Sequence, residues 1–221
     1  MDNNILEKIP QNICNILKNK KNISLRPCQE KAIKEGLFEN NKNFLITTPT
    51  GSGKTMVAEL AMLNTILNQR KKVIYIVPLK ALASEKYKEF MQAYSKEIII
   101  KLSVGDIQDE KYSYNCDLLI TTSEKLDSLI RHDTNIIDNV GLVIADEIHL
   151  LNDEKRGPTL EILLSIFKTK FKQIRIIGLS ATIGNSKEIS KWLNATLIED
   201  DWRPVELQHF ILEGNELIRY K

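Results

Sequence analysis

In the stretch TTPTGSGKT, Thr47–Thr55, two glycines, a lysine and several hydroxyl residues stand at a spacing that wraps an anion. Gly51 and Gly53 let the backbone come close to a phosphate chain. Lys54 would reach the β- and γ-phosphates of a nucleotide, and the Thr55 hydroxyl would ligate Mg²⁺. The pattern for such a loop is G-x-x-x-x-G-K-[ST], and Thr48 stands where it wants its first glycine. Pro49 disfavours helical backbone at Thr48, so the loop must be entered from an extended strand. Thr48, Pro49, Thr50, Gly51, Ser52, Gly53, Lys54 and Thr55 are therefore the candidate nucleotide-binding residues. The competing reading is an ordinary Gly/Ser turn between a strand and a helix.

A second constellation is VIADEIH, Val143–His149. Two adjacent carboxylates at the end of an apolar strand are costly unless a cation meets them. A Mg²⁺–nucleotide would do so. Asp146 would hold the metal, and Glu147 would orient and deprotonate an attacking water. Taken alone, the pair could equally cap the next helix, where acidic residues are favoured. The loop upstream favours the catalytic reading.

The elements that must position these residues follow from hydrophobic patterning. NFLITT leads into the loop, and Lys54–Gln69 reads as a helix with a broad apolar face. Further strands are expected at Val73–Pro78, Glu97–Val104, Asp117–Ser123, Gly141–Glu147 and Arg175–Thr182. Helices are expected at Leu79–Ser95, Glu124–His132, Thr159–Lys170 and Lys187–Leu193, with an amphipathic helix at Ile5–Lys18 and another opening in LRPCQEKAI. Strands that are apolar without alternation belong in a sheet buried on both faces. The fold class predicted is α/β: a mostly parallel sheet with helices on both faces, with ligands bound beyond the carboxyl ends of the strands.

Composition excludes several classes. The chain has 221 residues, 43% apolar and 27% charged, with a net charge of +2. Contact with nucleic acid would need a local basic face. Cys14, Cys28 and Cys116 show no metal-binding or disulfide spacing, so a reducing, cytoplasmic setting is expected. No apolar run approaches the roughly 20 residues of a membrane span, and no membrane partner is expected. Cys28 reads as a small buried side chain.

Further stretches agree with one family. TPTGSGKT, DEIH and Ser180-Ala181-Thr182 resemble motifs I, II and III of superfamily 2 helicases. Leu25–Gln29 resembles the adenine-reading Gln motif, and Pro78–Leu82 with Ser84-Glu85-Lys86 resembles motif Ia. Gly105-Asp106 and Thr122–Lys125 resemble motifs that contact a nucleic-acid strand. Arg156-Gly157, Ile183-Gly184-Asn185, Trp192–Ala195 and Asp201–Val205 narrow the likeness to the archaeal superkiller-like DNA repair helicases, relatives of the helicase part of DNA polymerase theta. The likeness covers roughly Ile9 to Phe210, and a residue other than Gly at position 48 fits this group.

The resemblance implies a RecA-like P-loop NTPase domain with ATP and Mg²⁺ as cofactors. Gln29 would read adenine; as bare sequence it is an ordinary exposed helix residue. His149 would join the γ-phosphate to motif III, or else pack on the sheet. Ser180 and Thr182 would couple hydrolysis to the grip on nucleic acid, although a strand-end Ser-Ala-Thr also makes a helix cap. Lys80, Gly105, Asp106, Thr122 and Lys125 would contact a single strand, against a solvated surface for the two lysines. Trp192 reads as core, and Arg156 has no assigned partner.

Such a motor holds ATP between two RecA-like domains, and the second brings an arginine finger and motifs IV to VI. None of those motifs follows here. Residues 1–40 are expected to pack on the core and carry the Gln motif, 41–203 to form motor domain 1, and 204–221 to start the passage toward domain two. The implied parent is an ATP-dependent 3′–5′ DNA helicase on single-stranded or forked DNA, in repair or stalled-fork processing. An RNA helicase of the same branch and a non-enzymatic nucleotide-gated clamp stay open as alternatives.

Overall fold

The computed structural model describes residues 3–18, 24–39, 42–105, 115–206, 208–213 and 216–220. The strand segments rich in Ile and Val form seven parallel strands. They are β1 (Asn43–Thr47), β2 (Lys72–Val77), β3 (Ile100–Ser103), β4 (Leu118–Thr122), β5 (Val140–Ala145), β6 (Arg175–Ser180) and β7 (Ala195–Glu199). Their order across the sheet is β3-β4-β2-β5-β6-β1-β7. The chain therefore jumps two strands between β1 and β2, which opens a crevice at the carboxyl edge.

Successive strand residues point to opposite faces. Phe44, Ile46, Val73, Tyr75, Val77, Leu142 and Ile144 enter one apolar cluster. Leu45, Ile74, Ile76, Val143 and Ala145 enter the other. Helices α3 (Pro27–Lys34), α4 (Lys54–Leu63) and α5 (Lys80–Tyr94) cover the first face. Helices α6 (Ser123–His132), α7 (Gly157–Lys170) and α8 (Ser186–Leu193) cover the second. The fold is a RecA-like α/β sandwich with a parallel sheet. No helix among the described residues is long and apolar enough to cross a membrane.

Several elements differ from the sequence reading. The segment Ile5–Lys18 is two helices, α1 (Asn3–Leu6) and α2 (Gln11–Lys18). Pro10 breaks it, because proline lacks the N–H an unbroken helix needs. Both halves still bury Ile5, Ile9, Ile13 and Leu17 in the first cluster. The helix expected to run to Gln69 stays α-helical only to Leu63, then widens to a π-turn over Asn64–Asn68. There the Thr65 hydroxyl donates to the Ala61 carbonyl at 2.9 Å, and the Gln69 N–H reaches the Asn64 carbonyl instead. Residues Glu97–Ile99 do not join β3. Strand β7, pairing with β1 from Asn43↔Ala195 to Thr47↔Glu199, was not anticipated. Nor was the antiparallel hairpin of β8 (His209–Glu213) and β9 (Glu216–Tyr220).

The two-faced burial generates a stability prediction. Phe167 in α7 is fully buried, whereas Ile162 on the same helix is 49% exposed. Phe167→Ala is expected to cost about 3–5 kcal/mol in urea unfolding. Ile162→Ala is expected to stay within about 0.5 kcal/mol. Equal losses would place α7 differently on the sheet.

Candidate nucleotide-binding site

The loop after β1 is braced from inside. Thr48 is fully buried, and its hydroxyl lies 2.6 Å from the Ser52 hydroxyl. The Ser52 N–H donates to the Pro49 carbonyl at 3.2 Å, which closes the turn. Thr48 is not among the residues with left-handed backbone, whereas Gly51 (φ 81°) and Gly53 (φ 94°) are. The pattern's first glycine is thus dispensable, and a threonine there supplies a cross-brace. Gly53 has a second constraint: a Cβ would run into the Gln29 amide nitrogen and lie 2.9 Å from Arg26 Cδ. The N–H of Thr48 also donates to the Ser180 carbonyl at 3.2 Å, so the ladder between β1 and β6 extends into the loop.

Helix α4 starts at Lys54 with no side-chain cap, which leaves its first N–H groups to an external acceptor. Lys54 is largely buried, 8% exposed. A cavity of ≈ 300 Å³ lies before it. Lys54, Thr55, Asp146 and Glu147 line that cavity together. A larger hollow, ≈ 460 Å³, lies elsewhere, beside Ile16, Glu89, Lys96 and Glu97. It touches neither the loop nor the paired carboxylates, so the smaller cavity is the candidate site.

Strand β5 ends at Ala145, and the Asp146 N–H still donates to the Ile76 carbonyl of β2 at 2.9 Å. Asp146 accepts from the Glu147 N–H at 3.0 Å and from the Tyr75 hydroxyl at 2.8 Å. Burial first, and then the neighbouring Asp146 charge, push the Tyr75 pKa well above its ordinary value, so this hydroxyl is a donor. Glu147 adopts left-handed backbone, φ 51° and ψ 45°. Such strain costs about 1–3 kcal/mol and persists where surrounding structure enforces it. The following residues form a 3₁₀ turn, Ile148–Asn152, without a side-chain cap from Glu147, which removes the helix-cap alternative. His149 Nδ1 lies 3.3 Å from Glu147 Oε2 without a hydrogen bond to it, and His149 lines neither hollow beside the carboxylate pair.

The remaining sequence candidates divide. Gln29 is buried, not an exposed helix residue. Its amide accepts from the Arg26 N–H at 2.9 Å and donates to the Gly53 carbonyl at 3.0 Å, tying α3 to the loop. Ser180 is fully buried with its hydroxyl unpartnered, and Thr182 is exposed. Neither caps a helix, since α8 starts six residues after Ser180, behind Asn185. Lys80 is exposed at the start of α5. Thr122 caps α6 by accepting from the Lys125 N–H at 3.3 Å, and Lys125 is buried, so the solvated-surface reading fails for it. Gly105 is exposed beyond β3, with open space around it. Asp106 lies outside the described residues. Trp192 packs against the second cluster with Lys168 5.7 Å above its ring.

Several further contributors had no role at this site assigned from sequence. Tyr75 was read only as a strand residue, although a buried tyrosine hydroxyl demands a partner. Lys86 lines the cavity one helical turn after Leu82, a spacing that puts both on one face of α5. Arg156 shares a small hollow with Asp146, Glu147 and Ser123. It is set by a tight turn in which Asp153 accepts from the Lys155 and Arg156 N–H groups. Gly157 is needed there because a Cβ would strike the Leu151 carbonyl. Arg26 donates to the Gly51 carbonyl and sits 5.6 Å from the Trp202 ring centroid. Pro204 lies 3.6 Å from where a Gly51 Cβ would be. The segment after β7 therefore returns over the loop. It is held by Asp200, which pairs with Lys31 at 2.7 Å and accepts from the Trp202 N–H at 2.7 Å. Partial burial raises the Asp200 pKa, but these two bonds outweigh it and hold the carboxyl below its usual range.

Comparison with known proteins agrees with this geometry. A protein named ATP-dependent DNA helicase Hel308 from Methanocaldococcus jannaschii is 53% identical over 214 residues, covering 94% of this chain and 18% of the relative. Proteins of the same name from Methanococcus vannielii and Pyrococcus horikoshii are 48% and 42% identical, covering 93% and 91% of this chain and 28% of each relative. The chain thus spans 18% to 28% of the length of these relatives. The family model described as DEAD/DEAH box helicase matches residues 26–189, from Arg26 on the loop through the Asp146–Glu147 pair to the helix behind Ser180. On that match, which takes in all the strand ends that line the cavity, the chain belongs to the DEAD/DEAH box helicase family.

Proposed function

We propose that this chain is the nucleotide-binding half of an ATP-driven motor. The parent would be a 3′–5′ DNA helicase that tracks single-stranded or forked DNA in repair or stalled-fork processing. The observation that carries this reading is the one cavity where loop, Lys54, Thr55 and the Asp146–Glu147 pair meet. The donor set suits Mg²⁺–ATP: uncapped helix N–H groups and a lysine for phosphates, and hard oxygens for the metal. Thr55 and Asp146 would hold Mg²⁺, which supplies charge neutralisation on the phosphate oxygens. Lys54 holds the β- and γ-phosphate end, and the loop backbone from Thr48 to Gly53 encloses the chain. Glu147 takes a proton from the attacking water, in a backbone conformation that fixes its direction. His149 would join the γ-phosphate to the segment at Ser180, whose carbonyl already holds the Thr48 N–H. Gln29 fits a role at the base side of the loop, where it has one amide N–H and one carbonyl lone pair beyond its bonds to Arg26 and Gly53.

Gly105, Thr122 and Lys125 stand at the ends of β3 and β4, on the same edge as the cavity but beyond β2, and Lys80 follows the end of β2, which borders the cavity through Val77 and Pro78. That separation supports a division into a nucleotide side and a strand-contacting side, the latter reading phosphates without base sequence. The boundaries proposed are residues 1–40 for the N-terminal helices, 41–203 for motor domain 1, and 204–221 for the passage to a second motor domain. The names of the relatives support DNA over RNA as the strand, and their greater length supports the second domain.

The chain alone is expected to bind ATP–Mg²⁺ weakly and turn it over well below ~1 s⁻¹, the low end of ordinary enzymes. A version extended through domain two gains a factor on the order of 10³–10⁵, the worth of an arginine finger. Its activity rises more with single-stranded DNA than with RNA of the same sequence; the reverse order would make it an RNA motor. In that extended version, Glu147→Gln retains ATP binding but loses about 10²–10⁴-fold in turnover, the usual contribution of a general base. If turnover survives the change, another group activates the water.

A further inference from the structure

Tyr75 lies in the middle of the sheet, with Phe90 packed edge-on at 5.4 Å between ring centroids. Phe90 in turn meets Tyr94 at 6.0 Å, and the Tyr94 hydroxyl donates to the Glu59 carboxylate of α4. Tyr75 and Tyr94 are both fully buried. The stack thus has two hydroxyls at its ends, each on a carboxylate, but only one of those carboxylates lines the cavity.

Asp146 meets two donors of fixed direction. The Glu147 N–H reaches Oδ1 at 3.0 Å, and the Tyr75 hydroxyl reaches Oδ2 at 2.8 Å. One donor per oxygen fixes both the position and the plane of the carboxylate. Both donors are neutral, so its negative charge is left for a cation in the cavity. Each oxygen also keeps a lone pair beyond its bond to the protein. Groups that orient a metal-binding carboxylate in this way commonly contribute 10- to 100-fold to metal affinity or activity.

We infer that Tyr75 is a positioning residue for Mg²⁺–nucleotide binding, aiming the Asp146 carboxylate through its hydroxyl. The inference rests on the reading of Asp146 as a metal-holding residue. It extends to α5, because Phe90 on that helix holds the Tyr75 ring in place. Movement of α5 is thereby transmitted to the carboxylate. The same helix presents Lys86 to the cavity and starts at the exposed Lys80.

The test compares two like substitutions in this chain. Tyr75→Phe and Tyr94→Phe each delete one buried hydroxyl bonded to a carboxylate and leave the aromatic stack intact. Binding of a fluorescent ADP analogue is titrated against Mg²⁺, and melting temperature is recorded alongside. Tyr75→Phe is expected to need about tenfold more Mg²⁺ for half-maximal binding, at the lower end of outer-shell effects. Tyr94→Phe is expected to lose a similar amount of melting temperature with its Mg²⁺ requirement unchanged. A Mg²⁺-dependent wild type with an unmoved Tyr75→Phe overturns the positioning role alone, as does an equal shift in both variants. A wild type whose binding ignores Mg²⁺ overturns the assignment of Asp146, and the positioning role with it. Should Tyr75→Phe fail to fold, the ring signals of the six tyrosines are followed by NMR in labelled wild type. The Tyr75 signal is expected to shift with Mg²⁺–ADP and not with ADP alone. An indifferent Tyr75 signal overturns the role.

Discussion

The site depends on one backbone interaction more than on any side chain. The parallel ladder does not stop where the strands do. The Thr48 N–H continues it onto Ser180, and the Asp146 N–H continues it onto Ile76. The phosphate loop, the carboxylate pair and the Ser-Ala-Thr segment are thereby locked in register at one edge of a sheet that is buried on both faces. A buried backbone N–H is expensive to leave unpaired, so this register is held firmly. Loops that would otherwise drift are extensions of strands, which is how a cavity made of four separate segments keeps its shape.

That constraint explains where the sequence could be read and where it could not. The loop and VIADEIH were legible because each is a short run whose chemistry depends on adjacent residues. Their expected elements appear: β1 before the loop, α4 after it, β5 before Asp146. The unbroken apolar run Val73–Val77 placed helices on both faces, and its residues do divide between the two clusters. What was illegible depends on distance across the fold. Tyr75 and Asp146 are neighbours only because β2 pairs with β5. Arg26, Gly51, Trp202 and Pro204 come together from three parts of the chain. Strand β7 escaped notice because only Ile198 of its five residues is buried, so it carries little hydrophobic signal. Pro10 was in plain view, and the helix drawn through it was an error of weighing pattern over backbone chemistry.

Two local costs sit at the carboxyl edge of the sheet, one in the cavity lining and one bonded to the loop's first residue. Glu147 holds left-handed backbone, and the Ser180 hydroxyl is buried without a partner. Either alone lowers stability without improving packing. Glu147 follows β5 and Ser180 ends β6, neighbouring strands that lie between β2 and β1, and both residues belong to the machinery proposed to respond to the γ-phosphate. A strained glutamate has one direction to point in, and an unpaired hydroxyl has a bond still to make. Such features are retained where a ligand or a second conformation satisfies them. The surrounding layers, rich in fully buried Leu, Ile and Phe, offset the cost.

Helix α5 is the element through which the two halves of the sheet edge can be joined. Its first residue, Lys80, is exposed on the side proposed to meet a nucleic-acid strand. Lys86, almost two turns on, faces the nucleotide cavity and pairs with Glu89 at 2.7 Å. Phe90, one further turn along, packs on the ring whose hydroxyl holds Asp146. A packed helix moves as a body, because close-packed interiors transmit displacement and do not absorb it. On the proposed roles, a pull at Lys80 would reach Asp146 through this column without any change in the loop itself. Coupling between strand and nucleotide then has two routes: the backbone bond from Thr48 to Ser180, and the side-chain column from α5 to the carboxylate. They approach the cavity from opposite sides, β6 on one and β2 on the other, with the Asp146–Glu147 pair between them. On the proposed function, a motor half built this way would register nucleotide and strand before a second domain closed over it.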